Sequence, residues 1–581
     1  MLSWFGGRND NGPAPVGARH IHPDSPPLWI CGDWPEHEIA TALAGPRRIT
    51  IIGPCSASAA ELEQLAHTGT TDAVSSAFAG AYTVIESTPV ATVVYTDPGH
   101  GCPIYLARTG NTVLWGSSAL ALAALTGASV DERWLAAILA GLRPASLGDR
   151  SPFAGITAVS PGARLHLDRH GRTQLRTIWQ APTASLDLHD GAQALQAALR
   201  QAVQVRLHPG QITTADCSGG LDSTSLTMLA ADMLDADSPV RAITIHPETV
   251  PRGGDLDYAR TATTGNSSIR HVLCPLNDNH LPCTAMTELL AATDEPAPGT
   301  IAIARGVAEF DLLRELGSGC HLTGDGGDTL FSWHPAYLAE HIRSGRLTAA
   351  WREGIGWARL RRTPVWPVLH SGLRTAFART PACRELPSWL GAHAQVLADE
   401  QTSHPLQHES GPIGQTMLLE AMRLTGRTAH ADRQLAADYG IRVHNPFTDG
   451  QVLHAVLSTR TTERATPYRY KPLLTTAMTS LLPPQVAARQ TKGDFTADHY
   501  QGLHTYHQAL RQLACGELAE RGLIEPGPLI ELIDRGAAGM PVLFSDLEPV
   551  LAIEAWLRTL TANAPAAAWQ QPTDHHQECR S

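Results

Sequence analysis

The chain has 581 residues, too many for a single core, so at least two domains are expected. With 43% hydrophobic and 17% charged residues each domain can bury an ordinary core, and no stretch is biased enough to be disordered throughout. A formal charge of -12 argues against a general nucleic-acid surface, which needs clustered Lys and Arg, so any polyphosphate must be bound locally.

Met1–Gly12 lacks the basic and apolar regions of a secretory signal, and no later stretch offers the roughly 18 apolar residues of a membrane span. A cytoplasmic location is expected. Ten cysteines without a CxxC pair fit neither a disulfide framework nor a zinc site, and they read as small buried hydrophobes. His575, His576 and Cys579 read as a solvated polar tail rather than metal ligands.

From about Arg48 to Trp179 the sequence reads as short β-rich runs, among them Ala81–Glu86, Ala91–Tyr95 and Thr112–Trp115, broken by Gly, Pro and Asp turns. Composition changes over Gln180–Gly191, and Ala192–Leu207 then spaces Leu195, Leu199, Val203 and Leu207 as a helix. A domain boundary is placed near residue 185.

Beyond it, Gln211–Ala215, Val240–Ile245 and His271–Leu276 are strand-like runs separated by helix-length stretches. Such alternation predicts a parallel sheet, whose ligands bind beyond the carboxyl ends of the strands. Helical patterns dominate Leu338–Ala437. Trp333, Trp351, Trp357, Trp366 and Trp389 fall in a helical, Arg-rich stretch that is expected to help line a peptide cavity if it is not simply core.

Two loops carry the chemistry. Ser218-Gly219-Gly220-Leu221-Asp222-Ser223-Thr224-Ser225 follows the strand Gln211–Ala215 and precedes an apolar-patterned helix. Glycines admit an anion close to backbone N–H groups, hydroxyls add donors, and the helix presents its positive end. This is a phosphate cradle without the Walker spacing; it resembles the pyrophosphatase loop of adenylating amidases. The second loop, Thr323-Gly324-Asp325-Gly326-Gly327-Asp328, follows Leu322 at an expected strand end. Its carboxylates suit Mg²⁺, which takes oxygen donors shared with phosphates.

With these loops the chain resembles the asparagine-synthetase family, which includes β-lactam synthetases and lasso peptide cyclases. Further matching pieces are Thr293-Asp294-Glu295-Pro296, Asp432-Arg433, Asn445-Pro446-Phe447-Thr448-Asp449, Lys471-Pro472-Leu473-Leu474 and Arg489-Gln490-Thr491-Lys492-Gly493. Thr96-Asp97-Pro98, Pro103-Ile104-Tyr105, Ser151-Pro152-Phe153 and Pro161-Gly162 are similar to the family's glutaminase-type domain. The resemblance implies an α/β protein: an N-terminal glutaminase-like (Ntn-type) α+β sandwich, 1–185, then a parallel-sheet synthetase domain, 186–581, of the adenine-nucleotide α-hydrolase kind with a helical C-terminal part.

It also implies a site. Asp222 and Asp328 would hold Mg²⁺; Ser218, Gly219, Gly220, Ser223 and Thr224 would hold the pyrophosphate of ATP, with Gly324 beside them; Ile243 and Thr244 would lie against adenine. Among 44 basic residues only Lys471 and Lys492 are lysines, and both fall on family motif positions. A compact ammonium suits a point contact to phosphate or oxyanion, so Lys492 is expected to be catalytic, with Lys471 beside it. Asp325 is a candidate base for the attacking amine, or alternatively a magnesium or structural residue.

Three departures narrow the resemblance. Glutamine-dependent members carry Cys as the second residue, where this chain has Leu2, so the first domain is expected to release no ammonia. Asparagine synthetases have Glu at the positions of Asp325 and Arg442, and β-lactam synthetases pair Tyr with that second Glu; neither pair is present. The remaining branch is the lasso peptide cyclase, which implies a core peptide as substrate and a leader peptidase and leader-binding protein as partners. Holding a prefolded peptide makes amide closure intramolecular, worth up to roughly 7–11 kcal/mol of the barrier.

Overall fold

The computed structural model describes residues 3–562 apart from 23–25, 143–146, 148, 251, 333–334, 378–385, 403–411, 491–492 and 494. Its N-terminal part holds two six-stranded antiparallel sheets. The first runs, edge to edge, through Ile156–Val159, Ile104–Thr109, Thr112–Gly116, Trp4–Arg8, Leu28–Cys31 and Arg19–His22. The second runs through Thr173–Thr177, Ala163–Asp168, Ala91–Tyr95, Thr83–Thr88, Arg47–Ile52 and Ile39–Ala44.

Alternation along these strands explains the layering. Phe5, Ile30, Val113 and Trp115 of the first sheet meet Ile52, Ile85, Val94 and Leu165 of the second in one buried layer. The opposite face of the first sheet, through Trp4, Trp29 and Tyr105, packs on the helices Ala119–Thr126 and Glu132–Leu139. Helix Ala59–Thr68 covers the other sheet. The strand Trp4–Arg8 lies outside the stretch that reads as β in the sequence, because Gly6 and Gly7 break its alternation. Both are required: a Cβ on Gly6 would lie 2.4 Å from the carbonyl oxygen of Trp115 on the neighbouring strand.

After helix Leu188–Gln204 comes a five-stranded parallel sheet in the order Ile269–Leu276, Val240–Pro247, Thr213–Asp216, Cys320–Leu322, Val443–His444. Every neighbouring pair is parallel. The two-residue fifth strand is too short to leave a pattern in sequence. Helices Leu221–Met233, Gly254–Thr263 and Ile303–Glu315 make the crossovers.

Later helices, including Ile413–Asp438, Thr496–Leu513 and Phe544–Ala562, complete the chain. Leu503, Leu547 and Trp556 share one core with Trp4 and Trp134, so the C-terminal helices and the antiparallel sheets are packed together. Among the tryptophans of the helical stretch, Trp357 and Trp389 are buried, whereas Trp351 and Trp366 form an exposed pair with ring centroids 5.6 Å apart. Trp333 lies outside the described residues. Among the described residues no helix is long and apolar enough to cross a membrane.

Candidate active site

The two Gly-rich loops leave the carboxyl ends of adjacent strands, since Thr213–Asp216 pairs directly with Cys320–Leu322. Glycine lets them close on each other. A Cβ at Gly324 would fall 2.8 Å from the backbone nitrogen of Ser223, and one at Gly327 would fall 2.4 Å from the Asp222 carboxyl carbon. Gly219 has φ +72°, and a Cβ there would meet the Asp255 carbonyl at 2.4 Å, so the first loop is pressed against helix Gly254–Thr263 as well.

Inside the first loop the Ser223 hydroxyl accepts from the Ser218 N–H at 3.1 Å and bonds the Ser218 hydroxyl at 2.9 Å. The loop is preorganised, with Gly220 as the N-cap of the helix that carries Asp222 in its first turn.

A cavity of about 580 Å³ opens above these strand ends. Ser218, Gly220, Asp222, Ser223, Ile243, Gly324, Asp325, Asp328 and Lys471 all line it. Thr224 and Thr244 are fully buried, and neither they nor Gly219 line the cavity. Thr244 instead donates to the Cys217 carbonyl at 2.6 Å and bonds His271 at 2.8 Å, which fixes the floor of the loop from beneath.

Lys471 holds the two loops electrostatically. Its ammonium donates to Asp328 Oδ1 at 2.6 Å and to Asp222 Oδ2, with its side chain only 1% exposed. Burial alone would lower the pKa of this lysine, but the two carboxylates outweigh it and hold the value above that of a free lysine. The charged form therefore persists. Lys471 itself sits at φ +45°, a left-handed conformation costly for a residue with a Cβ, immediately before the helix Pro472–Ala477.

Lys492 lies outside the described residues. The residues flanking it are held at the cavity wall: Arg489 pairs with Asp255 and stacks over Tyr258 at 4.4 Å, and Phe495 lies under the Arg305 guanidinium at 4.1 Å. Asp325 is exposed at the second loop, and Asp432 nearby accepts from the Gly299 N–H at 3.0 Å. Burial, reinforced by the Asp325 charge, pushes Asp432 up to about 7.

Arg442 does not line this cavity. It pairs with Asp33 at 2.7 Å and borders a second cavity of about 210 Å³, between the sheet-rich half and helix Ile413–Asp438. The thiols near that second cavity are not activated: burial pushes Cys31, Cys55 and Cys102 each up to about 12.

The asparagine synthase family profile matches residues 194–558, more than half of the chain. The chain belongs to the asparagine synthase family. That membership places it among ATP-dependent ligases that form amide bonds. No curated protein matches it significantly. Among solved structures, glutamine phosphoribosylpyrophosphate amidotransferase from B. subtilis, complexed with ADP and GMP, aligns at 10% identity and TM-score 0.20 over 56% of this chain and 75% of that one. A structure described as the allosteric regulatory enzyme of purine biosynthesis aligns at 10% identity and TM-score 0.20, over 55% of this chain and 83% of that one.

Among the cavity residues that escape the motif reading are Asp216, Glu309 and His321. The signal that could have found them is chemical. Strands buried on both faces of a parallel sheet normally run apolar, and Asp216 and His321 interrupt two adjacent ones.

Proposed function

We propose that this ligase closes a macrolactam in a peptide: it adenylates an Asp or Glu side chain of a core peptide and joins it to the peptide's own N-terminal amine, as lasso peptide cyclases do. In the first step a carboxylate oxygen attacks the α-phosphorus of ATP and pyrophosphate leaves. In the second the amine attacks the acyl carbon, AMP leaves and the amine gives up a proton.

The observation that supports this reading is the convergence of Asp222, Asp328 and the Lys471 ammonium at one end of a single cavity. Two hard carboxylates aimed at one cation form the donor set that Mg²⁺ takes, and they would hold it against the polyphosphate. Bound there, the ion neutralises phosphate charge. Ser218, Gly220 and Ser223 would bind the departing pyrophosphate, and Ile243 would pack against adenine. Lys492 would stabilise the tetrahedral oxyanion as the amine adds, and Asp325 would take its proton.

Residues 1–185 we assign as a glutaminase-like domain that releases no ammonia, which leaves the amine to the substrate. Support comes from Cys31, Cys55 and Cys102, each held as a neutral thiol by a pKa near 12. The leader peptidase and leader-binding protein of such a pathway would be its partners.

The test is to incubate the chain with ATP, Mg²⁺ and linear peptides that carry a free N-terminus and an internal Asp or Glu. The expected result is one pyrophosphate and one AMP per peptide that loses a water, with Lys492→Ala folded but inactive. Amide formation from free aspartate and ammonia without any peptide would replace the cyclase reading with a small-molecule one. ATP binding without pyrophosphate release on every substrate would make the chain a nucleotide-binding regulator.

A further inference from the structure

Beside the two family loops, three potential ligands come from three elements: Asp216 at the end of strand Thr213–Asp216, Glu309 on helix Ile303–Glu315 and His321 on strand Cys320–Leu322. One ligand atom of each lies within 4.8 Å of the others. His321 Nε2 is 3.3 Å from Asp216 Oδ1 and 3.8 Å from Glu309 Oε1. The side chains are 28%, 15% and 3% exposed for Asp216, Glu309 and His321, and Glu309 Oε1 is buried without a hydrogen-bond partner.

The imidazole is already oriented. Thr214 Oγ1 lies 2.9 Å from His321 Nδ1, 3.2 Å from the Cys320 carbonyl and 2.7 Å from Ser318 Oγ. With Nδ1 engaged by that hydroxyl, Nε2 is the nitrogen that meets the carboxylates. In metal sites an outer hydrogen bond of this kind sets the tautomer and leaves the other ring nitrogen to the ion. Two carboxyl groups and an imidazole converge on one buried point; once both carboxyls are ionised they repel one another unless a cation, a proton or a metal ion, lies between them, and burying them is costly.

We propose that Asp216, Glu309 and His321 bind a divalent first-row transition ion of the Zn²⁺ class. The site is distinct from the Mg²⁺ position at Asp222 and Asp328. Mixed imidazole and carboxylate donors favour this class over Mg²⁺, which takes oxygen alone. Three protein ligands leave a coordination position that faces the cavity, the arrangement of sites that meet a substrate rather than merely brace a fold. The proposal does not depend on which amide the enzyme makes.

The full chain, stripped with a chelator and without nucleotide, is titrated with Co²⁺ and Zn²⁺. One equivalent of Co²⁺ should bind with visible d–d absorption bands, and one equivalent of Zn²⁺ should displace it. Glu309→Gln and His321→Ala should weaken binding by at least about 100-fold, the upper range even for outer-shell changes, while thermal unfolding shows both variants folded. Asp222→Asn should leave the titration unchanged. Absence of the Co²⁺ bands in the unmodified chain, equal affinity in Glu309→Gln, or loss of binding in Asp222→Asn would each overturn the assignment.

Discussion

Gly324 lies against Ser223 so closely that a side chain there would press its Cβ to 2.8 Å from the Ser223 backbone nitrogen. The gap between the two loops is thus set by the absence of one methyl group. Gly324→Ala should push them apart at a cost of about 1–3 kcal/mol, the usual range for overpacking. ATP affinity measured calorimetrically should fall about tenfold or more, equivalent to at least roughly 1.4 kcal/mol. Unchanged ATP affinity would mean that the nucleotide does not bind across both loops.

Lys471 and a magnesium ion would compete for the same carboxylates. In Lys471→Met the side chain keeps its length but loses its charge, leaving Asp222 and Asp328 facing each other. Breaking such a pair should cost about 3 kcal/mol, the low end for buried pairs, because the Asp328 side chain is 47% exposed. Added Mg²⁺ should then raise the melting temperature of the variant more than that of the unmodified chain. An equal Mg²⁺ response in both proteins would remove the ion from these residues.

Arg206 and Asp449 form a bidentate pair at 2.6 and 2.7 Å with side chains 2% and 1% exposed. It ties the end of helix Leu188–Gln204 to the start of helix Gly450–Ser458, so the last residue of the Asn445–Asp449 motif is structural in this chain. Arg206→Met alone should cost about 3–5 kcal/mol in denaturant unfolding, by stranding a buried carboxylate. Arg206→Met with Asp449→Leu should cost less than the single change. A double variant as unstable as the sum of both singles would show that the pair is not coupled.

Asp97 is buried 3% exposed, accepting N–H bonds from Gly101 at 2.6 Å and Gly99 at 3.2 Å. Burial, with the Asp449 charge adding to it, pushes this carboxyl from 3.8 up to about 7. The folded chain therefore binds this proton more tightly than the unfolded chain. Its contribution to stability is complete below about pH 4 and is lost as pH rises through about 7, with a slope of up to roughly 1.4 kcal/mol per pH unit. Asp97→Asn should flatten that part of the stability profile in urea unfolding across the window, whatever its effect on absolute stability. A slope unchanged by the substitution would assign the titration to another group.

The loops were legible because their chemistry is local. A phosphate cradle needs consecutive glycines and hydroxyls directly between a strand and a helix, and Ser218–Ser225 supplies them within eight residues. The parallel sheet was equally plain from Val240–Ile245, which the structure extends only to Pro247. Trp4–Arg8 was not, because its paired glycines answer to a neighbouring strand more than a hundred residues away in sequence, at Trp115.

By itself the sequence determined the nucleotide loops, the rarity of lysine and the alternation of strands with helices, since each depends on residues near one another in the chain. Only the tertiary structure decided that Lys471 reaches both Asp222 and Asp328, that Arg442 faces a different cavity from Asp325, and that Asp216, Glu309 and His321 meet. Apart from Glu309 and His321, which are 12 positions apart, those relationships join residues separated by about 90 to 410 positions. Their geometry is set by strand order and helix packing, and no local periodicity encodes it.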